Sequence, residues 1–89
     1  GWSLRRFAEG DGFPVYAVES RGAKRDAAPA IYLSAGIHGD EPAATEALVT
    51  WAQRRARLLS RTRFLIFPCL NPWGLQNNCR HNASGLDLN

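Results

Sequence analysis

Two short apolar runs, "AIYLSA" at 30–35 and "RFLIFPC" at 63–69, bracket a segment whose apolar residues recur with the helical period. Ala44, Ala47, Leu48, Trp51, Ala52, Leu58 and Leu59 fall on one side of it, and Glu46, Thr50, Gln53, Arg54 and Arg57 on the other. The spacing predicts a helix from about Glu41 to near Ser60 with one buried stripe. Asp40 is the expected N-cap, and Pro42 suits the first turn. A strand, a helix and a strand joined by short links imply a parallel pair with a right-handed crossover. Both runs are apolar on both faces, as in a sheet covered on two sides. The expected fold class is therefore α/β: a parallel or mixed sheet with helices on both faces, containing a strand-helix-strand unit.

The flanking segments are less regular. "FPVYAVES" at 13–20 alternates like a strand, with Pro14 marking its start or an edge. Residues 1–11 are mixed and carry no assignment. "RGAKRDAAP" at 21–29 reads as a loop. From Leu70 onward the chain is rich in Asn, Gly and Pro and reads as one long loop, a length that is usually functional or disordered. At 89 residues the chain holds at most one domain, and 45% hydrophobic against 21% charged residues is a globular balance. The lack of methionine, so that Gly1 is not a natural start, and the abrupt end at Leu86-Asp87-Leu88-Asn89 are the features expected of a fragment.

The net charge of +3 comes mostly from arginines, four of them clustered at Arg54, Arg55, Arg57 and Arg61. A nucleic-acid surface needs aromatic interleaving or a docking motif, and neither is present. Cations at a helix end favour its negative dipole end, which accounts for the cluster. No apolar run reaches membrane-span length and no signal-peptide pattern is visible, so localisation stays open. Cys69 and Cys79 form no C-x-x-C pair; free thiols are the default, with a disulfide as the alternative.

In open α/β sheets, ligands bind beyond the carboxyl ends of the strands. "GIHGDE" follows the first apolar run, and "NPWG…CRHNASGLDLN" follows the second. Parallel strands send both loops out on the same edge, so His38, Glu41, Arg80, Asn82 and Asn89 can share one cleft. His38 and Glu41, three residues apart, can reach one ion from a single short segment. Zinc takes such nitrogen and carboxylate ligands and, in catalytic sites, keeps a position open for water. Gly36 and Gly39 allow a tight backbone there. The bare H-x-x-E pattern also fits a backbone-bonded loop histidine and a first-turn acid at a helix dipole.

The combination is more specific. "GIHGDEPA", a helix, a buried strand, "NPWG" and then Arg80-x-Asn82-x-x-Gly85-x-Asp87-Leu88-Asn89 resembles the zinc carboxypeptidase family typified by carboxypeptidase A, and looks most like its bacterial members, including those that trim peptidoglycan peptides. The likeness runs from about Ala30 to Asn89. It implies a three-layer zinc carboxypeptidase-like fold, of which residues 1–89 would be the N-terminal portion of one catalytic domain. It also implies a zinc ion held by His38 and Glu41. Arg80 would polarise the scissile carbonyl and stabilise the oxyanion. Asn89 would help hold a substrate's terminal carboxylate, and Asn82 would be a positioning residue in the substrate site. Asn71-Pro72-x-Gly74 would shape the loop without a chemical role.

The implied activity is hydrolysis of a C-terminal peptide or related amide bond through a metal-activated water, on a peptide or peptidoglycan-derived substrate. The aspartoacylase and succinylglutamate desuccinylase branch shares the ligand pair and a similar D-L-N segment, so N-acyl amino-acid deacylation is the alternative. A catalytically inactive peptide-binding relative is a third reading. The sequence departs from the family's pattern in several places: the third zinc ligand, the general-base glutamate and the arginine expected after Asn89 are absent from these residues. Trp73 stands where many relatives have an aspartate. His81, next to Arg80, is expected to face solvent or a hydrogen-bond partner rather than to serve as the third ligand.

Overall fold

The computed structural model describes residues 2 to 21 and 31 to 89. Most of the loop expected at 21–29, and Ala30, lie outside the described residues. The elements are β1 (Trp2–Gly10), β2 (Phe13–Arg21), β3 (Ile31–Ser34), α1 (Ala43–Arg54), α2 (Ala56–Ser60), β4 (Arg63–Phe67) and α3 (Pro72–Asn77). One mixed sheet has the order β1-β2-β4-β3. β3 pairs with β4 in parallel, from Ile31 opposite Phe64 to Ser34 opposite Phe67. β2 pairs with β4 and with β1 antiparallel. The expected strand-helix-strand unit with its parallel pair is therefore present.

The unassigned start of the chain is a strand. β1 and β2 form a hairpin in which Gly10 pairs with Phe13, leaving only Asp11 and Gly12 in the turn. Both have positive φ, 53° and 84°. That is the backbone a two-residue hairpin turn requires and the reason Asp-Gly suits it. The dipeptide was legible; the charged residues around it masked the alternation of β1.

The helix differs in three respects. It begins at Ala43 with Pro42 at the N-cap position, and no side chain caps it. Asp40 is not the cap, because a tight turn in which Glu41 N–H donates to His38 O precedes the helix. Near the other end, Arg55 leaves helical geometry at φ −110° and ψ 26°, which splits the element into α1 and α2. Finally, the buried stripe is narrower than the periodicity suggests. Leu59 is buried and Leu48 and Ala52 pack partly, whereas Ala44 and Ala47 are exposed and Trp51 and Leu58 are exposed at 38% and 54%. Ala44, Ala47 and Trp51 lie within α1, ahead of the break at Arg55, on the edge of the stripe that the described residues leave uncovered.

The core lies between this helical layer and one face of the sheet. Leu59, Phe64 and Ile66 are buried, with Val18, Leu33, Leu48 and Ala52 against them. The buried hydroxyl of Ser20 donates to the Leu59 and Thr62 carbonyls and so ties β2 to the end of α2. On the other face, Phe67 meets Phe7 edge-on at 5.0 Å and Tyr32 at 6.0 Å. The two apolar runs were expected to be covered on both faces. β4, in the middle of the sheet, is mostly buried, but β3 is an edge strand among the described residues and leaves Ile31 and Tyr32 exposed.

Ile66 is 2% exposed at the centre of this core. Ile66→Ala is expected to lower the unfolding free energy of the full-length protein by about 2–5 kcal/mol in urea denaturation. A loss below about 1 kcal/mol would show that the β4–helix contact is not a principal packing surface.

Candidate metal and oxyanion site

The parallel ladder continues past its strands. Ala35 N–H donates to Phe67 O and Leu70 N–H to Ala35 O, each at 3.0 Å. The loops after β3 and β4 are thereby held side by side. Gly36 turns the first with φ 76°. Gly39 has a different purpose, since a Cβ there would lie 1.9 Å from the Gly74 carbonyl carbon and 2.4 Å from Cys79 O. The His38 turn can sit this close to the second loop only without a side chain at that position.

The second loop is not irregular throughout. Asn71 and Pro72 open α3, with Asn71 Oδ1 accepting from Gly74 N–H at 2.9 Å and Pro72 in the first turn. Asn78 closes it in the left-handed conformation, φ 53°. An Asn-Pro start and an Asn end are a readable helix signal, obscured here because the helix has only six residues.

These two loops bring His38, Glu41 and Arg80 together. His38 Nδ1 lies 3.3 Å from Glu41 Oε2. Two donors each about 2.0 Å from a tetrahedral ion stand about 3.3 Å apart, so this spacing suits a shared zinc. The same Glu41 oxygen is 4.0 Å from Arg80 Nη1. His38 is well enclosed at 14% exposure, while Glu41 and Arg80 are open at 62% and 53%. Glu41 stands just ahead of the helix rather than on its first turn.

Asp87, whose role no sequence pattern announces, joins the group. Its Oδ1 is 3.1 Å from His38 Nε2, and its Oδ2 accepts from Arg80 Nε at 2.9 Å. A histidine that donates from Nε2 keeps the Nδ1 lone pair facing Glu41, the arrangement a ligand needs. Among the described residues no three His, Cys, Asp or Glu side chains form a metal-holding group. Asp87 does not complete one, because it occupies the opposite ring nitrogen. The Asn89 N–H, then Arg80, then His38 hold the Asp87 carboxyl down at about 2, and Asp87 in turn raises the Arg80 pKa.

The remaining candidates have contacts of their own within the second loop. Asn82 Oδ1 accepts from the N–H groups of Ser84 and Leu86, closing the turn that carries Asp87. Asn89 donates its backbone N–H to Asp87 Oδ1. His81 stacks on Trp73 at 6.4 Å, and its Nδ1 meets Asn82 O, so its ring is engaged away from the His38–Glu41 pair. Cys69 and Cys79 are free thiols, and burial pushes the Cys69 thiol up.

Comparison with known proteins places this geometry in context. Residues 27–89 match the succinylglutamate desuccinylase/aspartoacylase catalytic domain family. The chain belongs to that family. It is also 31% identical over 91 residues to carboxypeptidase SOL1 of Arabidopsis thaliana, covering 89% of this chain and 18% of the relative. Among solved structures, a protein provisionally named a metallopeptidase from Shewanella baltica superposes with a TM-score of 0.85 at 28% identity, over 99% of this chain and 33% of that one. A metallo-carboxypeptidase from Burkholderia cenocepacia gives 0.70 at 26% identity, over 99% and 27%. The desuccinylase/aspartoacylase member described here thus has the carboxypeptidase-like α/β fold that the motifs implied. It spans less than a fifth of the curated relative's length and between a quarter and a third of the solved ones'.

The Asp87 contacts make a testable statement about pH. A carboxyl depressed in the folded state contributes stability that is present above its unfolded value, near 3.8, and lost as pH falls through about 2. Carboxyl carbon NMR is expected to show Asp87 titrating near 2, with an upward move in Arg80→Gln. An unchanged midpoint in that variant would mean the Asp87–Arg80 contact does not persist in solution.

Proposed function

We propose that the full protein is a zinc-dependent hydrolase of a C-terminal peptide bond or a closely related amide, with His38 and Glu41 as two of its metal ligands. The observation that carries this reading is the 3.3 Å separation of His38 Nδ1 and Glu41 Oε2 with the Arg80 guanidinium beside the same carboxylate. When bound, zinc supplies Lewis-acid polarisation of a carbonyl and an acidified water. The Arg80 fork supplies fixed N–H donors and positive charge where negative charge develops on the carbonyl oxygen. Asp87 holds that fork by its Nε and holds the His38 ring by its Nε2. Asn89, adjacent to this cluster, is the proposed partner of a substrate carboxylate. A peptide, including one derived from peptidoglycan, is the proposed substrate.

A second reading, N-acyl amino-acid deacylation, draws support from the family match. The two reactions share their chemistry: each cleaves an amide whose nitrogen belongs to an amino acid with a free carboxylate. They differ in what lies on the acyl side. A panel of C-terminal peptides and N-acyl amino acids, assayed on the full-length protein, separates them. Lack of turnover on both sets, with retained peptide binding, would instead identify a catalytically inactive relative.

Three outcomes are expected of the full-length protein. His38→Ala and Glu41→Ala each abolish tight zinc binding in a chelator competition. Arg80→Ala lowers kcat by about a hundred- to a thousandfold with a small change in KM, the pattern of an interaction made in the transition state. Arg80→Lys recovers little, because a point charge does not reproduce the planar fork. Near-normal kcat in Arg80→Ala would remove the arginine from the site.

A further inference from the structure

Asn71 is 2% exposed, and its side-chain amide is engaged at both ends. Its Oδ1 accepts from Gly74 N–H at 2.9 Å. Its Nδ2 faces three carbonyls: Ile37 at 3.2 Å, Arg80 at 3.4 Å and His81 at 3.2 Å. Ile37 immediately precedes the metal-ligand candidate His38, and Arg80 carries the guanidinium. One buried amide with two N–H groups therefore spans both loops of the site. The seam beside it is closed by backbone, where Gly39 lies against Gly74 and Cys79 O.

The charged contacts orient the Arg80 and His38 side chains, but they are poor candidates for fixing where the two loop backbones run. Arg80, Glu41 and Asp87 are each about half exposed, and exposed ion pairs are screened and contribute little. An amide buried among carbonyls is different. Its donors have no water to turn to, so a displaced loop would leave buried polar groups unpaired.

We propose that Asn71 is a positioning residue that sets the placement of the Arg80 guanidinium relative to the His38–Glu41 pair, by clamping the Ile37, Arg80 and His81 carbonyls on one amide. This rests on the reading above that Arg80 acts beside that pair. Asn71 touches no reacting atom; it acts through the backbones of the residues that do.

Asn71→Asp tests the clamp, because it keeps the oxygen that caps Gly74 and turns an oxygen toward the three carbonyls. Amide hydrogen exchange on the zinc-free full-length protein provides a readout independent of activity. Exchange is expected to accelerate about tenfold or more in 37–39 and 80–82 together, with β4 and α1 unchanged. Acceleration confined to 72–77 would overturn the proposal, since it would reduce Asn71 to a helix cap. In kinetics, kcat is expected to fall by about a hundredfold with KM changed less than about threefold. The penalty of Arg80→Ala, measured on top of Asn71→Asp, is expected to shrink below about tenfold. A full Arg80→Ala penalty in that background would also overturn it. If Asn71→Asp does not fold, Asn71→Ser, whose hydroxyl still caps Gly74, carries the same expectations. If neither variant folds, Asn71 is a folding residue and the positioning role fails. A wild-type protein without hydrolase activity would sink the functional reading, while hydrogen exchange would still decide whether the clamp exists.

Discussion

The hydrogen bonds from Ala35 N–H to Phe67 O and from Leu70 N–H to Ala35 O extend the β3–β4 ladder beyond the strands themselves. Everything in the site depends on this continuation. Parallel strands end at the same edge, so the two loops start as neighbours. The extra bonds keep them neighbours until Gly39 meets Gly74 and Asn71 reaches the Ile37 carbonyl. His38 and Asp87 are 49 positions apart in the chain, yet their side chains meet at 3.1 Å. No local preference accounts for such a contact; the register of one strand pair does.

Two kinds of interaction then divide the work. Backbone packing and the buried Asn71 amide set where the loops run, because unpaired buried polar groups are costly, about 1–3 kcal/mol each. The charged side chains above them lie in largely open surroundings, where solvent and salt screen their attraction. Their value is chemical. Glu41, Arg80 and Asp87 alternate in sign around the enclosed His38 ring, so each carboxylate meets a cation or a ring nitrogen.

The helical layer presents a narrow apolar stripe to the sheet. Leu48, Ala52 and Leu59 share one side of the helical period, and Leu59, not Leu58, meets Phe64 and Ile66. The Ser20 hydroxyl reinforces that choice from β2. Arg54 and Arg57 lie in the last turns of α1 and α2, consistent with cations at negative helix ends.

From sequence alone, periodicity determined the strand-helix-strand unit and its parallel pairing, and that topology put His38, Glu41, Arg80, Asn82 and Asn89 on one sheet edge, of which the fold brings the His38, Glu41 and Arg80 side chains together. Those are consequences of side-chain alternation and chain order, which a sequence states directly. The β1 strand and α3 also had local signals, Asp11-Gly12 and Asn71-Pro72, but each was short and set among polar residues. Tertiary structure alone decided that Asp87 bridges His38 and Arg80, that His81 turns to Trp73, that Asn82 closes a turn, and that Asn71 joins both loops. Asp, His and Asn carry no periodic signature, and their partners are chosen by whichever donors and acceptors the folded backbone brings within about 3 Å.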